Sequence, residues 1–451
     1  MCGSRPPPGA AARRRWWTAP GSIPGSPEAM DHDVAVIGYG PTGATLANLL
    51  ALSGVRVLVL DREPGIYPLP RAVHFDDEVM RVLQAVDVAD ALAPKVRVNV
   101  GMRFVDAASE ELLMDWPRPQ EITAQGWHAS YRFHQPDLEE ELRAALEARP
   151  GVTIRSGCEV TAVEEGADGV EIRWRHRETG PEGRASAAFA VGCDGARSLV
   201  RETIGGGMED LGFKERWLVM DLILKRDRPD LGDHSVQFCD PDRPMTYVRC
   251  PGPRRRWEIR LAPDEDAEEM RRPDRVWPLL SRWLGPDEAD LERSAVYTFR
   301  SAVAWRLRAG RLMIAGDAAH LTPPFMGQGM CAGIRDAANL AWKLALVVHG
   351  RAPETLLDGY GAERRPHARA YVETAMRLGG LINALDRDSA LAMAEDRREG
   401  RATMASISPA LGEAGSLFGE PVEDSLRGRL FGQPRLADGR LLDDAAGQGL
   451  V

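Results

Sequence analysis

The chain has 451 residues, of which 44% are hydrophobic and 27% are charged, as is usual for a globular protein large enough for two or three domains. Its net charge of −10 argues against a nucleic-acid-binding protein, because contacts to phosphate groups require a basic surface. No apolar run is long enough to cross a membrane, and the six scattered cysteines form no Cys-x-x-Cys pair, so we expect a cytoplasmic protein with reduced thiols and no metal site.

Residues 1–29 differ in composition from the rest of the chain. They include a run of prolines, a run of arginines and a pair of tryptophans. No apolar segment follows the arginines, although a secretory signal would require one. We therefore predict a disordered extension over residues 1–29, and a natural start at Met30 is a second hypothesis.

The segment from Asp33 to Asp61 has the pattern of a βαβ unit. Residues Asp33–Gly38 form a β-branched run that predicts a buried parallel strand. The loop Gly38-Tyr-Gly-Pro-Thr-Gly43 follows, and a helix of small and apolar residues is predicted from Ala44 to Ser53. A second buried strand is predicted over Val55–Leu60.

The glycine spacing in this loop suits the pyrophosphate of a dinucleotide. Gly38 permits the tight turn, Gly40 lets the phosphates approach the backbone, and Gly43 lets the helix pack on the strand. Pro41 and Thr42 lie at the helix N-terminus, where free N–H groups and the helix dipole attract phosphate. Such a loop can also be a plain tight turn, so the flanking strand and helix carry the prediction.

An acidic residue, Asp61, stands at the end of the second predicted strand and precedes Arg62. A carboxylate at this place accepts hydrogen bonds from an adenosine ribose, and both residues are candidate cofactor contacts. No second G-x-G-x-x-G follows a strand, because Gly205-Gly206-Gly207 comes after a predicted helix and suits a helix C-cap. The pattern predicts a bound dinucleotide without separating FAD from NAD, and it predicts no separate nicotinamide domain.

Later segments predict a second sheet and long helices. Residues from about Trp217 to Tyr297 alternate apolar and polar side chains, as in Leu218–Leu224, which is typical of an antiparallel sheet with one wet face. Helices are predicted over residues 329–349 and 353–381. After about Asp386 the chain is predicted to be irregular, because it is rich in Gly, Asp and Arg.

Two further motifs extend the pattern. Cys193-Asp-Gly-Ala-Arg-Ser198 follows one predicted strand, and Gly316-Asp-Ala-Ala-His320 follows another and continues to Gly327-Gln-Gly329. In this order the motifs resemble the fingerprints of the class A FAD-dependent aromatic monooxygenases, the para-hydroxybenzoate hydroxylase group. The segments Pro70–Glu78 and Tyr360–His367 are most similar to those of 3-(3-hydroxyphenyl)propionate and 3-hydroxycinnamate hydroxylases.

The resemblance implies an α/β fold with a Rossmann-like FAD-binding domain, an inserted antiparallel-sheet substrate domain and C-terminal helices. It divides the chain into FAD-binding parts at about 30–100, 130–210 and 305–350, a sheet at 211–304, helices at 351–385, and a tail at 386–451 that is a truncated remnant of a further domain. It also implies further FAD contacts, namely Arg71, Gln135, Asp194, Gly316, Asp317, Pro323, Gly327, Gly329 and Met330.

Each implied contact also has a simpler structural interpretation. Asp317 suits a helix N-cap, and Asp194 suits a plain turn. The loop Gly327–Met330 suits a bend in the chain. Arg71 and Gln135, taken alone, suit solvated surface positions.

The candidate catalytic residues are His74 and Asp76. Asp76 matches an acidic residue of related phenol hydroxylases and is the candidate base. The alternative is a helix start at Asp76–Glu78, where the acidic groups complement the helix dipole. We expect His320 to be structural, and Pro253–Arg256 suits either a contact to a substrate carboxylate or a solvated turn.

The resemblance implies an NAD(P)H-dependent monooxygenase that uses FAD and O2 to hydroxylate a phenol resembling 3-(3-hydroxyphenyl)propionate, through a flavin C4a-hydroperoxide. NADH or NADPH would dock transiently as the electron donor, and a homodimer is the assembly considered. Two alternatives stay open. One is a polyketide-tailoring oxygenase that performs hydroxylation or Baeyer–Villiger insertion, and the other is a non-catalytic FAD-binding protein.

Overall fold

A computed structural model describes residues 30–68, 70–399, 409–411 and 428–446. The strands are β1 (His32–Ile37), β2 (Val57–Leu60), β3 (His74–Asp76), β4 (Arg97–Val98), β5 (Gly101–Asp106), β6 (Leu112–Pro117), β7 (Ser130–Arg132), β8 (Val152–Arg155), β9 (Cys158–Glu165), β10 (Val170–His176), β11 (Glu182–Gly192), β12 (Met208–Leu224), β13 (Ser235–Cys239), β14 (Met245–Arg249), β15 (Arg254–Arg260), β16 (Ala289–Ala304), β17 (Arg308–Ala309), β18 (Leu312–Ile314) and β19 (His320–Leu321). The helices are α1 (Pro41–Leu52), α2 (Asp77–Ala85), α3 (Ala89–Leu92), α4 (Gln135–Glu147), α5 (Leu199–Thr203), α6 (Ala267–Met270), α7 (Pro273–Leu280), α8 (Gly329–Val348), α9 (Asp358–Ala384), α10 (Arg387–Arg398) and α11 (Leu442–Ala446). The extension predicted for residues 1–29 lies outside the described residues.

An eight-stranded sheet organises the glycine-loop end of the molecule. Its strands run in the order β17-β18-β11-β1-β2-β8, with β10 and β9 extending from β11. The pairs from β18 to β8 are parallel, and β2 is buried at every position, as expected for a parallel strand covered on both faces. The predicted βαβ unit is confirmed. Helix α1 begins at Pro41 rather than Ala44, because proline in the first turn is preset for a helical φ.

A second eight-stranded sheet runs in the order β19-β16-β12-β15-β14-β13-β5-β6, and β13 pairs with β5 in parallel. The predicted antiparallel sheet is confirmed, but it draws on more than residues 211–304. Strand β12 begins at Met208, and β5 and β6 come from an earlier part of the chain. These early strands satisfy N–H and C=O groups that the edge of β13 would otherwise expose. One face of this sheet packs on α7 through residues such as Leu218 and Val276.

A small third sheet has the strand order β3-β7-β4. Its side chains alternate, so that Phe75 and Tyr131 point into the core and stack with ring centroids 5.2 Å apart. His74 and Arg132 form a directly opposed pair on the other face. This sheet therefore presents its polar residues together, on the side away from the core.

The region after Asp386 differs from the predicted irregular tail. Helix α10 packs against β6, and its residues Ala390 and Ala394 are buried with Leu113. The prediction was wrong here because burial against a distant strand stabilises a helix that its own polar composition does not favour. Farther on, Asp443 accepts a hydrogen bond from Arg81 of α2 at 2.6 Å.

Among the described helices, none combines the length and the apolar character required to cross a membrane.

Candidate active site

One cavity of about 1760 Å³ runs from the glycine loop to the inner face of the second sheet. A single small-molecule site commonly measures about 300–1,000 Å³, so this cavity has room for a dinucleotide and a second ligand. Apart from Gly43 and Gly316, every predicted site residue lines it: His74, Asp76, Gly38, Gly40, Pro41, Thr42, Asp61, Arg62, Arg71, Gln135, Asp194, Asp317, Pro323, Gly327, Gly329 and Met330. Residues far apart in the sequence therefore meet at one site.

The three loop glycines have different surroundings. Gly38 has φ +105°, and a Cβ there would lie 2.3 Å from the carbonyl oxygen of Cys193. A Cβ on Gly43 would lie 2.0 Å from the carbonyl oxygen of Gly38, so this glycine permits the contact between α1 and the loop. A Cβ on Gly40 would meet no protein atom within 4 Å. Gly40 thus leaves open the space that a pyrophosphate would occupy.

Two helices present uncapped N-termini to the cavity. Helix α1 begins next to Gly40 and α8 begins next to Gln328, and neither has a side-chain cap or an acidic residue in its first turn. The first N–H groups of each helix therefore remain available, and each helix dipole favours a negative group there. The two helix ends lie at different parts of one cavity, as a long cofactor with separated anionic groups would require.

Asp61 has a role within the protein itself. Its carboxylate accepts hydrogen bonds from the backbone N–H of Tyr39 at 2.5 Å and of Glu63 at 2.7 Å. It thereby ties the glycine loop to the end of β2. The neighbouring Arg62 is exposed, and its Nε lies 3.2 Å from the Glu63 carboxylate.

Gln135 is buried rather than solvated, and its amide is committed to protein partners. Its oxygen accepts from the backbone N–H of Arg71 at 3.0 Å and of Ala72 at 2.9 Å, while its nitrogen donates to Glu139 at 2.8 Å. Gln135 therefore positions the Arg71 segment. The Arg71 side chain is exposed to the cavity and lies over the Tyr67 ring.

The two acidic residues of the later motifs carry unused acceptors. Asp194 accepts from the N–H of Val200 at 3.3 Å, but its other oxygen is buried without a partner. Burial raises the pKa of Asp194, and hydrogen bonds from the Ser198 region oppose the shift. Asp317 is exposed to the cavity, and desolvation by the surrounding protein raises its pKa against the effects of His320 and Arg71. Asp317 lies inside the short 3-10 helix Gly316–Ala318, whose N-cap is Ala315, so Asp317 is not the N-cap.

A buried network that sequence reasoning missed lies beneath the Asp317 loop. Asp336 on α8 accepts from the backbone N–H of Gly316 at 3.0 Å, from His320 Nε2 at 2.6 Å and from Arg364 Nε at 2.8 Å. Burial would raise the pKa of Asp336, but His320 and Arg364 outweigh it and lower the pKa to about 2. The contact with Asp336 is consistent with the expected structural role of His320. Arg364 lies in the Tyr360–His367 motif, which was the one sequence signal for this contact.

Asp76 is the N-cap of α2, and the structure supports this alternative. One oxygen accepts from the Val79 N–H at 3.1 Å, and the other accepts from Gln328 at 3.0 Å and from Arg335 at 2.5 Å. Burial would raise the pKa of Asp76, but the charge and hydrogen bond of Arg335 lower it overall. An anion held by three donors with a lowered pKa is a weak proton acceptor, so the catalytic-base role has no support.

His74 is neutral, because burial and the nearby Arg132 lower its pKa to about 3. Its Nε2 lies 2.9 Å from the Ser130 hydroxyl, and its Nδ1 lies 3.4 Å from the Gly327 carbonyl oxygen. A Cβ on Gly327 would lie 2.9 Å from the His74 side chain. His74 therefore supports the loop before α8, and with both nitrogens engaged it is a poor base.

We expect Asp76→Asn to reduce stability rather than to shift the pH profile of catalysis. Asparagine can still cap α2, but Arg335 keeps only Glu78 as an anionic partner, which costs about 1–3 kcal/mol. Urea denaturation measures the loss. A variant of unchanged stability whose turnover falls at least about 100-fold, with FAD still bound, would restore the base assignment.

FAD fits the residues of this site. The uncapped end of α1 and the open space at Gly40 suit a pyrophosphate, and the unpartnered oxygen of Asp194 suits a hydroxyl donor. Asp317 offers a further acceptor, and the uncapped α8 suits the electron-rich edge of a flavin. The fold and site define a flavoprotein with a Rossmann-like domain and a sheet domain that share one cavity.

Comparisons with known proteins identify the family. The sequence profile described as "FAD binding domain" matches residues 31–375. The chain is 44% identical over 382 residues to a probable NADH-specific resorcinol 4-hydroxylase of Rhodococcus jostii, covering 84% of this chain and 70% of that protein. It is 40% identical over 361 residues to a 3-(3-hydroxy-phenyl)propionate/3-hydroxycinnamic acid hydroxylase of Mycolicibacterium gilvum, covering 80% of this chain and 62% of that protein. The chain belongs to the family of FAD-dependent aromatic monooxygenases.

Solved structures agree with this assignment. The crystal structure of aklavinone-11 hydroxylase with FAD and aklavinone matches with a TM-score of 0.71 and 29% identity, over 82% of this chain and 71% of that one. The structure of p-nitrophenol 4-monooxygenase from Pseudomonas putida matches with a TM-score of 0.73 and 26% identity, over 81% of this chain and 93% of that one. The predicted α/β FAD-binding fold with its sheet domain is confirmed.

Proposed function

We propose that this chain uses FAD, NADH or NADPH, and O2 to hydroxylate a phenolic ring, with a substrate of the 3-(3-hydroxyphenyl)propionate type. The observation that carries the proposal is the continuity of the cavity from the glycine loop to the second sheet. This continuity puts a chamber for a small aromatic molecule next to the end of the FAD site. The names of two relatives support a phenolic substrate, and one of them is NADH-specific, so NADH is the expected donor.

In this proposal, different elements hold different parts of FAD. The loop Gly38–Gly43 and the N-terminus of α1 hold the pyrophosphate, and Asp194 and Asp317 accept hydrogen bonds from sugar and ribityl hydroxyls. The N-terminus of α8, at Gly329, faces the flavin ring and stabilises negative charge there. When bound, FAD supplies the redox chemistry that takes electrons from nicotinamide and activates O2.

Part of the chamber wall is apolar. Strand β12 alternates so that Leu218 packs on α7 while Trp217 and Val219 line the cavity. Phe325 lies against Trp217 with ring centroids 5.9 Å apart, and Leu378 of α9 lines the same space. An apolar wall of this kind strengthens electrostatic interactions at the flavin end and protects reactive intermediates from hydrolysis.

The experiment that tests the proposal measures NADH oxidation by the FAD-loaded enzyme with and without a phenol. We expect 3-(3-hydroxyphenyl)propionate to stimulate NADH oxidation and to yield a product that is one oxygen atom heavier, with the carbon skeleton intact. Oxidation of NADH that no phenol stimulates, with no oxygenated product, would contradict the proposal. Resorcinol is the matched second substrate, because it tests the ring without the acidic side chain.

A polyketide-tailoring reaction is the second candidate, and it rests on the size of the cavity and on the likeness to aklavinone-11 hydroxylase. Product analysis separates the candidates. A ring-expanded ester or a hydroxylated polycyclic product, with no turnover of simple phenols, would favour the second.

Two finer parts of the proposal concern the cell and the assembly. We place the protein in the cytoplasm, where NADH is available and where thiols stay reduced. The described cysteines form no disulfide, which is consistent with this compartment.

We expect a homodimer, and a measurement of the native mass in solution tests this expectation.

A further inference from the structure

Arg132 is a cation in the chamber wall without an ion-pair partner among the described residues. It lies on β7, lines the cavity and is partly buried. One of its terminal nitrogens donates to the Ser235 hydroxyl at 3.0 Å, while its Nε is buried without a hydrogen-bond partner. Within residues 30–68 and 70–399, no carboxylate lies at salt-bridge distance from it. Burial lowers the pKa of Arg132 to about 10, so the guanidinium is still protonated at neutral pH.

Two other arginines of the chamber wall, unlike Arg132, form ion pairs with a carboxylate of the protein. Arg256 donates to Asp221 at 2.7 Å, and Arg293 pairs with the same carboxylate. Both also donate to the backbone carbonyl of Pro70. The stretch Pro253–Arg256 is thus neither a solvated turn nor the free cation that a substrate carboxylate requires, because β15 buries Arg256 against its own counter-ion.

Groups of both signs surround Arg132. Arg118 and Arg256 disfavour its protonated form, whereas Cys250 and Glu258, which also lines the cavity, favour it. Burial raises the pKa of Glu258, which weakens its value as a counter-ion. Arg118 lines the same cavity and lies over the Trp116 ring. A buried cation in such a place is stabilised by an anion that brings hydrogen-bond acceptors with it.

We propose that Arg132 binds the carboxylate of an anionic aromatic substrate. This inference rests on the proposed function of the same cavity and names the substrate class: a phenol with an acidic side chain rather than a neutral phenol. A planar guanidinium with an unused Nε and a terminal nitrogen can hold both oxygens of a carboxylate. The two relatives described above differ in this feature by name, since resorcinol has no carboxylate and 3-(3-hydroxy-phenyl)propionate has one.

The position of Arg132 sets the direction of the bound molecule. Arg132 and His74 are opposed residues of the pair β3–β7, with Cα atoms about 5 Å apart. His74 contacts the carbonyl of Gly327, in the loop that leads to the N-terminus of α8. A carboxylate on Arg132 therefore leaves the aromatic ring to extend along this wall toward the flavin end of the site.

The test compares 3-(3-hydroxyphenyl)propionate with its neutral amide, which keeps the ring, the hydroxyl and the chain length. Each is titrated into the FAD-loaded enzyme without nicotinamide, and the flavin absorbance reports Kd. We expect the acid to bind at least about 10-fold more tightly than the amide. In Arg132→Gln this preference disappears, and the Kd of the amide stays within about 2-fold of wild type.

The matched control is Arg97→Gln. Arg97 is the other strand partner of Arg132, but it pairs with Asp233 at 2.8 Å and does not line the cavity, so the acid preference remains. Arg132→Lys keeps the charge without the planar fork, and we expect it to retain a reduced preference for the acid. This variant serves if Arg132→Gln does not fold.

The outcomes separate the two proposals. Equal Kd values for acid and amide in the wild type, or an unchanged preference in Arg132→Gln, would overturn the anion site even if both ligands are hydroxylated. Tight binding of the acid that depends on Arg132, without any oxygenated product, would support the anion site and overturn the proposed function.

Discussion

Asp336→Asn is expected to lower the free energy of unfolding by about 3–5 kcal/mol, because it removes the anion that the buried Arg364 guanidinium and the His320 ring share. Asp336 is fully buried, and its partners His320 and Arg364 are each only 1% exposed. Asparagine keeps one acceptor, but it cannot neutralise Arg364. The backbone N–H of Gly316 also loses its charged partner, so the affinity for FAD should fall together with stability.

Urea denaturation of the apoprotein measures this loss, and a titration with FAD measures the second effect. Asp290→Asn is the control, because Asp290 is exposed and its ion pair with Lys225 lies at the surface, so its removal should change stability by less than about 0.5 kcal/mol. A loss of less than about 1 kcal/mol in Asp336→Asn would show that the network has no stabilising role.

The same network predicts a dependence on pH. The pKa of Asp336 is lowered from its ordinary value near 4 to about 2, so its contribution to stability is complete above the ordinary value and is lost as the pH falls toward 2. The stability of the wild type should therefore fall more steeply between pH 4 and 2 than that of Asp336→Asn. Parallel curves for the two proteins would contradict the assignment.

Gly40→Ala and Gly43→Ala are expected to separate binding from folding, although each adds the same methyl group. At Gly43 the methyl meets a backbone oxygen at 2.0 Å, so α1 must move away from the loop, at a cost of about 1–3 kcal/mol or more. At Gly40 the methyl meets no protein atom, and the backbone at φ −75° and ψ −175° accepts alanine. The apoprotein of Gly40→Ala should therefore keep its stability within about 1 kcal/mol.

The effect of Gly40→Ala should instead appear in FAD binding, with Kd raised at least about 10-fold because the methyl occupies the path of the pyrophosphate. Fluorescence titration of the apoprotein with FAD measures Kd, and urea denaturation measures stability. Wild-type affinity in Gly40→Ala would show that the phosphates do not approach the backbone at this residue. A large loss of stability in Gly40→Ala would show that its surroundings are tighter than the geometry indicates.

The nucleotide end of the site could be predicted from the sequence because its determinants are local. Gly38, Gly40 and Gly43 act through their own backbone and through a strand and helix that adjoin them in the chain. Strand β2 could be predicted for the same reason, because a continuous apolar run indicates a strand that is buried on both faces. The resemblance to the aromatic monooxygenases then supplied the Asp194 and Asp317 motifs, and Gly38, Gly40, Asp194 and Asp317 all line the cavity.

The substrate end depended on contacts between distant parts of the chain. The sequence allowed Asp76 to be either a base or a cap, and its pairing with Arg335, far away on α8, favours the cap. The pKa of a charged side chain depends on its burial and on the groups that contact it. Residues next to it in the sequence do not reveal either of these. The sequence by itself therefore determined the family, the cofactor and the glycine loop. Only the tertiary structure decided that Arg256 is neutralised by Asp221, and that Arg132 lines the cavity with an Nε that has no hydrogen-bond partner among the described residues.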